Sequence, residues 1–309
     1  CYPGFEADIE ALRDPRVKAV RVDAGKREEL VSVMAGADVV VELLPGLFAL
    51  PVAGLAAELG VNLVSAMYLA NPGEQDPGKR EANRIELARI DAVMKEKGKT
   101  ILEEFGMDPG IDLVLGRKCL DGLDEVQAFH SYGAGFPELE AATNPIRYKF
   151  TWSIIGVMRS YLRPAVVIRD GLDVAVRADD MFSPNNTHIL DLPEMGGLLE
   201  CFPNGDSSRF AEAFGIRRTV KSMGRYICRW PGHRAFWEVM AKCGFLSDDP
   251  VRVGNCEVSP AAFCAALFGS QKQFFYGEGE RDIALVRTDA RGLKNGKPWR
   301  VVCQVVARR

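Results

Sequence analysis

Two stretches of the chain concentrate the residue types that could do chemistry. Residues 105–112 (FGMDPGID) place Asp108 beside a Pro-Gly pair, and residues 131–153 (SYGAGFPELEAATNPIRYKFTWS) combine glycines, an Asn-Pro turn and basic side chains among aromatic ones. The second stretch follows neither the helical nor the strand period, so we interpret it as a loop. Loops on a rigid scaffold often carry binding and catalytic residues. Together the two stretches predict one active site.

Asp108 is the strongest candidate for proton chemistry. It follows a predicted strand at the tip of a turn, where its carboxylate could act as a general acid or base or anchor a substrate ammonium group. Asp also favours the N-cap of helices, and a helical pattern begins near Gly110, so capping is the alternative role. The two roles are compatible.

Basic side chains next to aromatic ones are the second kind of candidate. Arg147 and Lys149 flank Tyr148, and they either hold a carboxylate or lie as solvated charges between buried aromatic residues. Strand-like alternation favours the solvated interpretation for at least one of them. Arg229 lies in an apolar run and is either a carboxylate anchor or a surface charge on a strand.

The composition points to a small-molecule partner. The chain has 309 residues, is 47% hydrophobic and carries a net charge of -3. Acidic and basic residues are interspersed, so no basic face is predicted for nucleic acid or anionic lipid. No apolar run reaches the roughly 20 residues of a membrane helix. We therefore expect a soluble cytoplasmic protein without nucleic-acid or membrane partners.

The cysteines and histidines do not form metal-binding patterns. Eight cysteines are dispersed without any C-x-x-C pair, and the three histidines show no paired spacing. We therefore expect neither a disulfide framework nor a metal site.

The first third of the chain alternates apolar runs with helical patterns, which is typical of a parallel sheet with crossover helices. Strands are predicted at 17–22, 37–44, 61–65 and 100–104, and helices at 27–34, 49–58 and about 81–97. The strand at 37–44 reads as buried. Ligands of open α/β sheets bind at the carboxyl ends of the strands. The loop residues at those ends, and hence the candidate cofactor contacts, are Asp23, Leu44, Pro45, Ser65, Met67, Gly106 and Pro109.

The pattern changes after Gly110 to a mixed α+β domain. A helix is predicted at 111–119, a strand at 125–131 and another helix at 234–243. Residues 282–307 read as a hairpin whose turn contains Asn295-Gly296, a pair that suits tight turns. A glycine-rich dinucleotide loop, G-x-G-x-x-G, occurs nowhere in the sequence.

At these residues the sequence resembles the saccharopine dehydrogenase family, in particular its NADP-dependent, glutamate-forming members. The segments that carry the resemblance are VVVELLP (39–45), GVNLVSAMY (60–68), GMDPGID (106–112), SYGAGFPELEAATNPIRYKFTWS (131–153), CFPNGDS (201–207) and RWPGHRAFWEVMAKCGFL (229–246). They span nearly the whole chain. The resemblance implies an oxidoreductase that acts on the CH-NH group of an amino acid in lysine metabolism, with NADP or NAD as cofactor.

The resemblance also implies a domain organisation. Residues 1–112 would be a Rossmann-type NAD(P)-binding domain, with its first strand and glycine-rich loop upstream of Cys1. Residues 113–309 would be an α+β domain that binds substrate and forms a homodimer. The chain would therefore be truncated at both ends.

Roles for individual residues follow from the resemblance. Ser65, Met67 and Tyr68 would lie beside nicotinamide and substrate, Asp108 would contact the substrate, and Arg229 would bind a substrate carboxylate. Gly133 falls where fungal members have a cysteine. The predicted catalytic residues are Asp108 and Tyr132, and the predicted substrate-binding residues are Ser65, Tyr68, Asp108, Gly133, Lys149 and Arg229. Tyr132 could close over the nicotinamide, although an aromatic residue at a strand end is more often core.

Two departures from the family leave the substrate open. Family members often have an arginine at the positions of Ile155 and Gly205, and saccharopine has three carboxylates that arginines would hold. The segments VRVDAG (20–25) and RPAVVIRDG (163–171) instead resemble lysine 6-dehydrogenase, which deaminates an amino acid. A family member without catalysis, serving as a binding or dimerisation module, is a further alternative.

Overall fold

The chain folds into two compact units. The computed structural model describes residues 13–70, 74 and 76–308. The N-terminal unit comprises Cys1–Pro109 and the C-terminal unit comprises Gly110–Arg309. The division falls within the DPGID motif, close to the boundary expected from the sequence.

The N-terminal unit is a parallel sheet with crossover helices. Its helices and strands are α1 (Arg27–Met34), β1 (Val39–Glu42), α2 (Ala49–Leu59), β2 (Asn62–Ser65), α3 (Pro77–Glu96) and β3 (Ile101–Leu102). The strand order is β1-β2-β3, and both strand pairs are parallel. The carboxyl ends of all three strands therefore meet at one edge.

Local sequence explains where these helices begin and end. The Asp76 side chain accepts a hydrogen bond from the Lys79 amide, and Pro77 occupies the first turn of α3. Helix α2 ends at Gly60, whose φ of 68° is left-handed and suits glycine. The small and apolar face of α2, from Ala49 to Ala57, packs into the core with Leu63 of β2.

Two strand predictions in this unit need correction. Residues 17–22 join no sheet in the described part of the chain, and Val17 and Val20 are 44% and 56% exposed. An apolar pattern predicts which face a strand would bury, but a strand forms only where a neighbour accepts its hydrogen bonds. The strand predicted as buried at 37–44 forms as β1, yet Val39 and Val41 are largely exposed. They share one face of the strand, and the described part of the chain leaves that face uncovered.

The C-terminal unit is built on a mixed sheet of eight strands. Its helices are α4 (Ile111–Leu120), α5 (Ile154–Ser160), α6 (Ser208–Ala213), α7 (His233–Lys242) and α8 (Pro260–Gly269). Its strands are β4 (Glu125–Pro137), β5 (Ala165–Arg169), β6 (Leu172–Val176), β7 (His188–Leu192), β8 (Gly197–Pro203), β9 (Ser222–Arg229), β10 (Val251–Val253), β11 (Cys256–Val258), β12 (Asp282–Lys294) and β13 (Lys297–Arg308). The main path is β13-β12-β4-β9-β5-β6, β8 joins β9 to β7, and β10 and β11 pair separately. Within the large sheet β4 and β9 are parallel, whereas the other pairs are antiparallel.

The loop predicted from Ser131 onward begins as a strand. β4 continues past Ser131 to Pro137 and is paired with β12 along this stretch and with β9 up to Gly133. The glycines hid this strand, because they lack the side chains on which a period can be read. Backbone pairing with β12 holds both glycines extended, and β9 also pairs with Gly133. The interpretation of residues 131–137 as part of a loop is therefore wrong.

The C-terminal hairpin is confirmed. β12 and β13 pair from Ile283 with Arg308 to Lys294 with Lys297, and Asn295 and Gly296 form the turn with positive φ. The unit's core contains Tyr132 and Phe136 of β4 together with Tyr161 and Trp237, and Tyr226 of β9 packs against it.

Candidate active site

At the carboxyl edge of the N-terminal sheet, a buried carboxylate joins two loops. Glu42 ends β1 and Ser65 ends β2, and they are only 3% and 0% exposed. The Ser65 hydroxyl donates to Glu42 Oε2 over 2.5 Å, and the Leu44 amide donates to Glu42 Oε1 over 2.6 Å. The Met67 amide in turn donates to the Ser65 hydroxyl over 3.1 Å. The Ser65 hydroxyl thus makes both of its hydrogen bonds within the chain and fixes the loops that follow β1 and β2.

The loop after β3 is tied to the loop after β2. The Phe105 amide donates to the Ser65 carbonyl over 2.9 Å, and the Glu104 amide donates to the Met67 carbonyl over 3.3 Å. The Glu103 carboxylate accepts from the Leu69 amide over 3.0 Å. The structure therefore brings together three of the loops in which the sequence predicted cofactor contacts, those with Leu44 and Pro45, with Ser65 and Met67, and with Gly106 and Pro109.

The same edge exposes large apolar side chains. Leu43, Leu47 and Phe105, each just beyond the end of a strand, are 74%, 73% and 64% exposed. Exposed apolar groups at the ligand-binding edge of an open α/β sheet suit the flat rings of a dinucleotide. The residues present here fit such a cofactor.

Asp108 lies in the turn that closes this edge. The Asp108-Pro109 peptide bond is cis, and the Gly106 amide donates to the Pro109 carbonyl over 3.0 Å. The N-cap of α4 is Gly110. The alternative role of Asp108 as the helix cap is therefore wrong, and the carboxylate in the first turn is Asp112 instead.

Asp23 lies apart from the end of any strand, because residues 17–22 are not a strand. Its carboxylate accepts from the Gly25 amide over 2.9 Å, and its amide donates to Glu29 over 2.8 Å. Asp23 thus shapes the turn that leads into α1. Its role in cofactor binding stays a prediction.

In the C-terminal unit, a buried ion pair connects α4 with β9. Arg225 Nη2 lies 2.8 Å from Asp112 Oδ2, with side-chain exposures of 8% and 2%. Asp112 Oδ1 also accepts from the Gly110 amide over 2.7 Å. The Arg225 guanidinium stacks on the Phe210 ring at 4.2 Å. Both charges are thus compensated inside the unit.

Tyr132 and Gly133 face opposite sides of the sheet, because successive strand residues alternate. The Tyr132 ring stacks on Tyr226 with centroids 5.5 Å apart, and its hydroxyl lies 3.2 Å from His188 Nε2. Burial raises the pKa of Tyr132 and lowers that of His188, so both are neutral near neutral pH. On the side of Gly133, a Cβ added at Gly135 would meet open space.

Lys149 is buried and paired. Its exposure is 5%, and its ammonium group lies 2.5 Å from Glu280 Oε2. The Gly277 amide and Lys149 lower the pKa of Glu280. The solvated interpretation of Lys149 is therefore wrong, since the Asn144 side chain holds this segment in the core by donating to the Tyr148 and Gln273 carbonyls over 2.7 and 2.9 Å.

Arg229 is buried without a carboxylate partner among the described residues. It is 7% exposed, its Nη1 donates to the Cys228 carbonyl over 2.8 Å, and its guanidinium lies 4.7 Å from the Tyr148 ring centroid. Its Nε is buried and has no hydrogen-bond partner in the described part of the chain. A buried cation without an acid partner is costly, and an anion bound beside it would reduce that cost.

A neutral histidine accompanies Arg229. His233 Nδ1 lies 2.8 Å from the Ile146 carbonyl oxygen and Nε2 lies 2.7 Å from the Tyr161 hydroxyl. Because a carbonyl only accepts, Nδ1 carries the proton and Nε2 accepts from Tyr161. Burial, followed by the charge of Arg229, lowers the pKa of His233 to about 3. The cation of Arg229 is therefore not joined by a second charge from this histidine.

Sequence reasoning missed several of these residues. Glu42, Asp112, Arg225 and His233 are all buried and were not selected. A signal existed for Glu42, a single carboxylate inside the apolar run VVVELL. For His233 no neighbouring residue in the sequence pointed to the buried contacts.

The described residues show neither a metal-binding cluster nor a helix suited to a membrane. No group of three or more His, Cys, Asp or Glu side chains there is arranged to hold a metal ion. No helix there is both long and apolar enough to cross a bilayer.

The N-terminal unit is a parallel α/β sheet with its loops gathered at the carboxyl edge, and the C-terminal unit is a mixed sheet with a buried cation. These features are those of a two-domain protein of the dinucleotide-binding class. Residues 3–102 match the saccharopine dehydrogenase NADP binding domain, and residues 106–308 match the saccharopine dehydrogenase C-terminal domain. The chain belongs to the saccharopine dehydrogenase family. The resemblance, the fold class and the expectation of NADP or NAD as cofactor are confirmed at this level.

Individual relatives agree with this placement. The chain is 31% identical over 250 residues to alpha-aminoadipic semialdehyde synthase of Arabidopsis thaliana, covering 79% of this chain and 22% of that protein. It is 28% identical over 248 residues to the NADP(+), L-glutamate-forming saccharopine dehydrogenase of Saccharomyces cerevisiae, covering 79% of this chain and 52% of that protein. The apo structure of the yeast L-Glu-forming saccharopine dehydrogenase superposes with a TM-score of 0.77 at 22% identity, covering 98% of this chain and 78% of that one. The two therefore share a fold.

Proposed function

We propose that the protein is an NADP-dependent oxidoreductase that acts on the CH-NH group of saccharopine or a closely related amino acid. The observation that carries the proposal is Arg229, a buried guanidinium without a carboxylate partner among the described residues, in a chain of the saccharopine dehydrogenase family. Saccharopine presents carboxylates that such a group would bind.

Arg229 binds a substrate carboxylate in this proposal. The planar guanidinium can donate two parallel hydrogen bonds, and Tyr148 below it fixes its plane. Neutral His233 and Tyr161 hold the surrounding segment without adding charge. The substrate is thereby oriented by one end, which is a large part of what an enzyme contributes to a cofactor-dependent reaction.

The carboxyl edge of the N-terminal sheet holds the cofactor. Leu44, Pro45, Met67, Gly106 and Pro109 would contact it. NADP bound there would supply the acceptor for a hydride from the carbon that bears the substrate nitrogen, and water would then hydrolyse the carbon-nitrogen double bond so formed. The name of the matched domain and of the yeast relative supports NADP over NAD. The hydrogen bond between Ser65 and Glu42 holds the loops of this edge in place.

Asp108 is the proposed acid or base for the substrate amine, because its motif is shared with the family and its alternative role as a helix cap is excluded. Tyr68, Gly133 and Lys149 remain proposed substrate contacts. A carboxylate reaching Lys149 would have to displace Glu280. The catalytic role predicted for Tyr132 remains to be tested with Tyr132→Phe, which removes only the hydroxyl.

A homodimer is part of the proposal. Trp299, Val302 and Val305 of β13 are 56%, 37% and 41% exposed on the terminal strand of the large sheet. Exposed apolar side chains on an edge strand suit pairing with a second copy. Light scattering after size exclusion measures the oligomeric state, and a monomer would contradict this part. The cytoplasmic location stays a prediction that cell fractionation can test.

The function is tested by following reduced nicotinamide absorbance with the protein as naturally expressed. Saccharopine and lysine are offered separately, each with NADP and with NAD. Turnover of saccharopine with NADP is the expected result. Turnover of lysine alone would assign the protein to the deaminating branch. Cofactor binding without turnover of either substrate would favour another amine or a non-catalytic role.

A further inference from the structure

Arg147 has a backbone conformation that its side chain does not favour. Its φ is 49°, in the left-handed region that glycine enters freely and other residues enter at a cost. Asn295, which shares this region, lies in a hairpin turn, where asparagine is well tolerated. Arginine has no such preference. An outlier of this kind is a reason to look for a function of the side chain.

The side chain of Arg147 lacks the partners that a half-buried cation usually has. Its Nε is buried without a hydrogen-bond acceptor in the part of the chain that the structure describes, and it forms no ion pair with a carboxylate there. Lys149, nearby in the same segment, is paired with Glu280. The charge of Lys149 is therefore compensated inside the chain, whereas that of Arg147 is not.

Arg147 and Arg229 flank the same turn. The Cδ of Arg147 lies 4.0 Å from the position that a Cβ on Gly232 would take, in the turn between β9 and α7. Arg229 ends β9 just before this turn, and its guanidinium lies over Tyr148, the neighbour of Arg147 in the chain. Two cations without acid partners among the described residues therefore lie beside one short segment.

Glu200 of β8, which lies opposite Arg229 in the register of β8 and β9, forms no ion pair with Arg147 or Arg229 among the described residues. Glu200 Oε2 accepts from the Gly232 and Arg234 amides, each over 3.2 Å, at the start of α7. Glu200 Oε1 lies 4.0 Å from Arg234 Nε. The Glu200 carboxylate therefore interacts with the first turn of α7 and with Arg234.

We propose that Arg147 is a second carboxylate anchor, which with Arg229 selects substrates with at least two carboxylates. This inference rests on the proposed function. An anion bound by both guanidinium groups would satisfy the two orphaned Nε atoms or their neighbouring donors and offset the repulsion between two cations. The unfavourable backbone at Arg147 is then the cost of placing a guanidinium at this point.

The test is Arg147→Gly, which removes the guanidinium and relieves the backbone together. The expected result is an unchanged or higher melting temperature with a KM for saccharopine raised about 10- to 100-fold, as for loss of a charged hydrogen-bonding group, and an unchanged KM for NADP. Arg147→Lys keeps the charge without the planar fork and should give an intermediate KM. A purely structural arginine would give a lower melting temperature and no change in the KM for saccharopine, which would overturn the proposal.

Asp170→Gly is the matched control. Asp170 has a nearly identical φ of 51° but lies in the turn between β5 and β6. The same backbone relief there should raise the melting temperature and leave the KM for saccharopine unchanged. A similar rise in KM in both variants would contradict a role for the Arg147 side chain.

A binding measurement separates this proposal from the proposed function. Calorimetry with glutarate, a dicarboxylate, and butyrate, a monocarboxylate of similar size, needs no turnover. The wild type should bind glutarate more tightly than butyrate, and Arg147→Gly should lose this preference. An equal preference in both proteins overturns the proposal even if saccharopine is turned over. A preference lost with Arg147 supports it even if saccharopine is not the substrate.

Discussion

Arg225 and Asp112 form an ion pair of 2.8 Å that is buried at both ends. It joins β9, the strand that ends in Arg229, to the first turn of the helix that follows the Asp108-Pro109 turn. Removing one partner of a buried pair leaves an uncompensated charge, whereas replacing both can be nearly neutral. The pair therefore affects stability mainly when only one of its two residues is replaced.

Asp112→Asn should destabilise the protein by about 3–5 kcal/mol, because the buried Arg225 guanidinium would lose its 2.8 Å ion pair with this carboxylate. Urea unfolding measures the free energy. The double variant Asp112→Leu with Arg225→Met should recover much of the loss. Asp248→Asn is the control, since its ion pair with Arg159 is more than half exposed on both sides and should contribute at most about 1 kcal/mol. Equal losses in Asp112→Asn and Asp248→Asn would contradict this account.

Arg229→Met should separate stability from activity. Removing a buried cation that has no acid partner among the described residues should leave the free energy of unfolding unchanged or raise it. The same change should lower kcat/KM for saccharopine by at least about 100-fold, because a carboxylate loses its charged donors. Steady-state kinetics and urea unfolding of one preparation check both. Arg281→Met, at an exposed arginine paired with Glu138, is the control and should leave kcat/KM unchanged.

His233 should make stability fall in mild acid. Burial and Arg229 lower its pKa to about 3, whereas an unfolded histidine titrates near about 6.5. Between these values the unfolded state binds a proton that the folded state does not, so stability falls as pH falls, by up to about 1.4 kcal/mol per pH unit. His233→Asn, which keeps a donor towards Ile146, should show a shallower slope between about pH 7 and about pH 5.

The other two histidines serve as the internal control for that measurement. Burial is the main cause that lowers the pKa of His130 to about 4, and burial also lowers that of His188. Both stay in the variant, so its slope should decrease without vanishing. Identical slopes in the variant and the wild type would mean that His233 does not titrate as described.

Ser65→Ala should weaken the cofactor edge. The change leaves Glu42 Oε2 and the Met67 amide without their shared hydroxyl, which should cost about 1–3 kcal/mol of stability. Because Met67 lies in a proposed cofactor loop, the Kd for NADP should rise, as fluorescence titration would measure. Ser32→Ala removes an exposed hydroxyl that donates only to the Glu29 carbonyl and should change neither quantity. An unaltered Kd for NADP in Ser65→Ala would remove the link between this network and the cofactor.

Helices with a clear apolar period could be predicted from the sequence, whereas strands that depend on a pairing partner elsewhere in the chain could not. Helix α1 was predicted with the bounds that the structure has, since the apolar spacing that defines it is local. The segment 17–22 has an apolar pattern of the same quality but joins no sheet among the described residues. The reverse error occurred at residues 131–137, where glycines gave no pattern although β12 pairs with the whole stretch and β9 pairs with its first residues.

For the candidate site, residue types were predictable and charge compensation was not. Arg147, Lys149 and Arg229 were all selected as basic residues near aromatic ones. Only the folded chain distinguishes them, because Glu280, which pairs with Lys149, is distant in the sequence. Helix capping was likewise considered for Asp108. In the structure the carboxylate that accepts from the Gly110 amide belongs to Asp112, in the first turn of α4.

The alternation along β4 also restricts how this family member can change. Tyr132 and Phe136 belong to one face, and Gly133 and Gly135 belong to the other, with β12 fixing the register along the whole stretch. A one-residue insertion or deletion here would exchange the two faces of the strand. Glycine would then face the aromatic core and leave it underpacked, and Tyr132 would lie on the face where Gly133 and Gly135 are now. Natural variants should therefore differ here by substitution and keep the length of this strand, with insertions confined to the segments beyond Pro137.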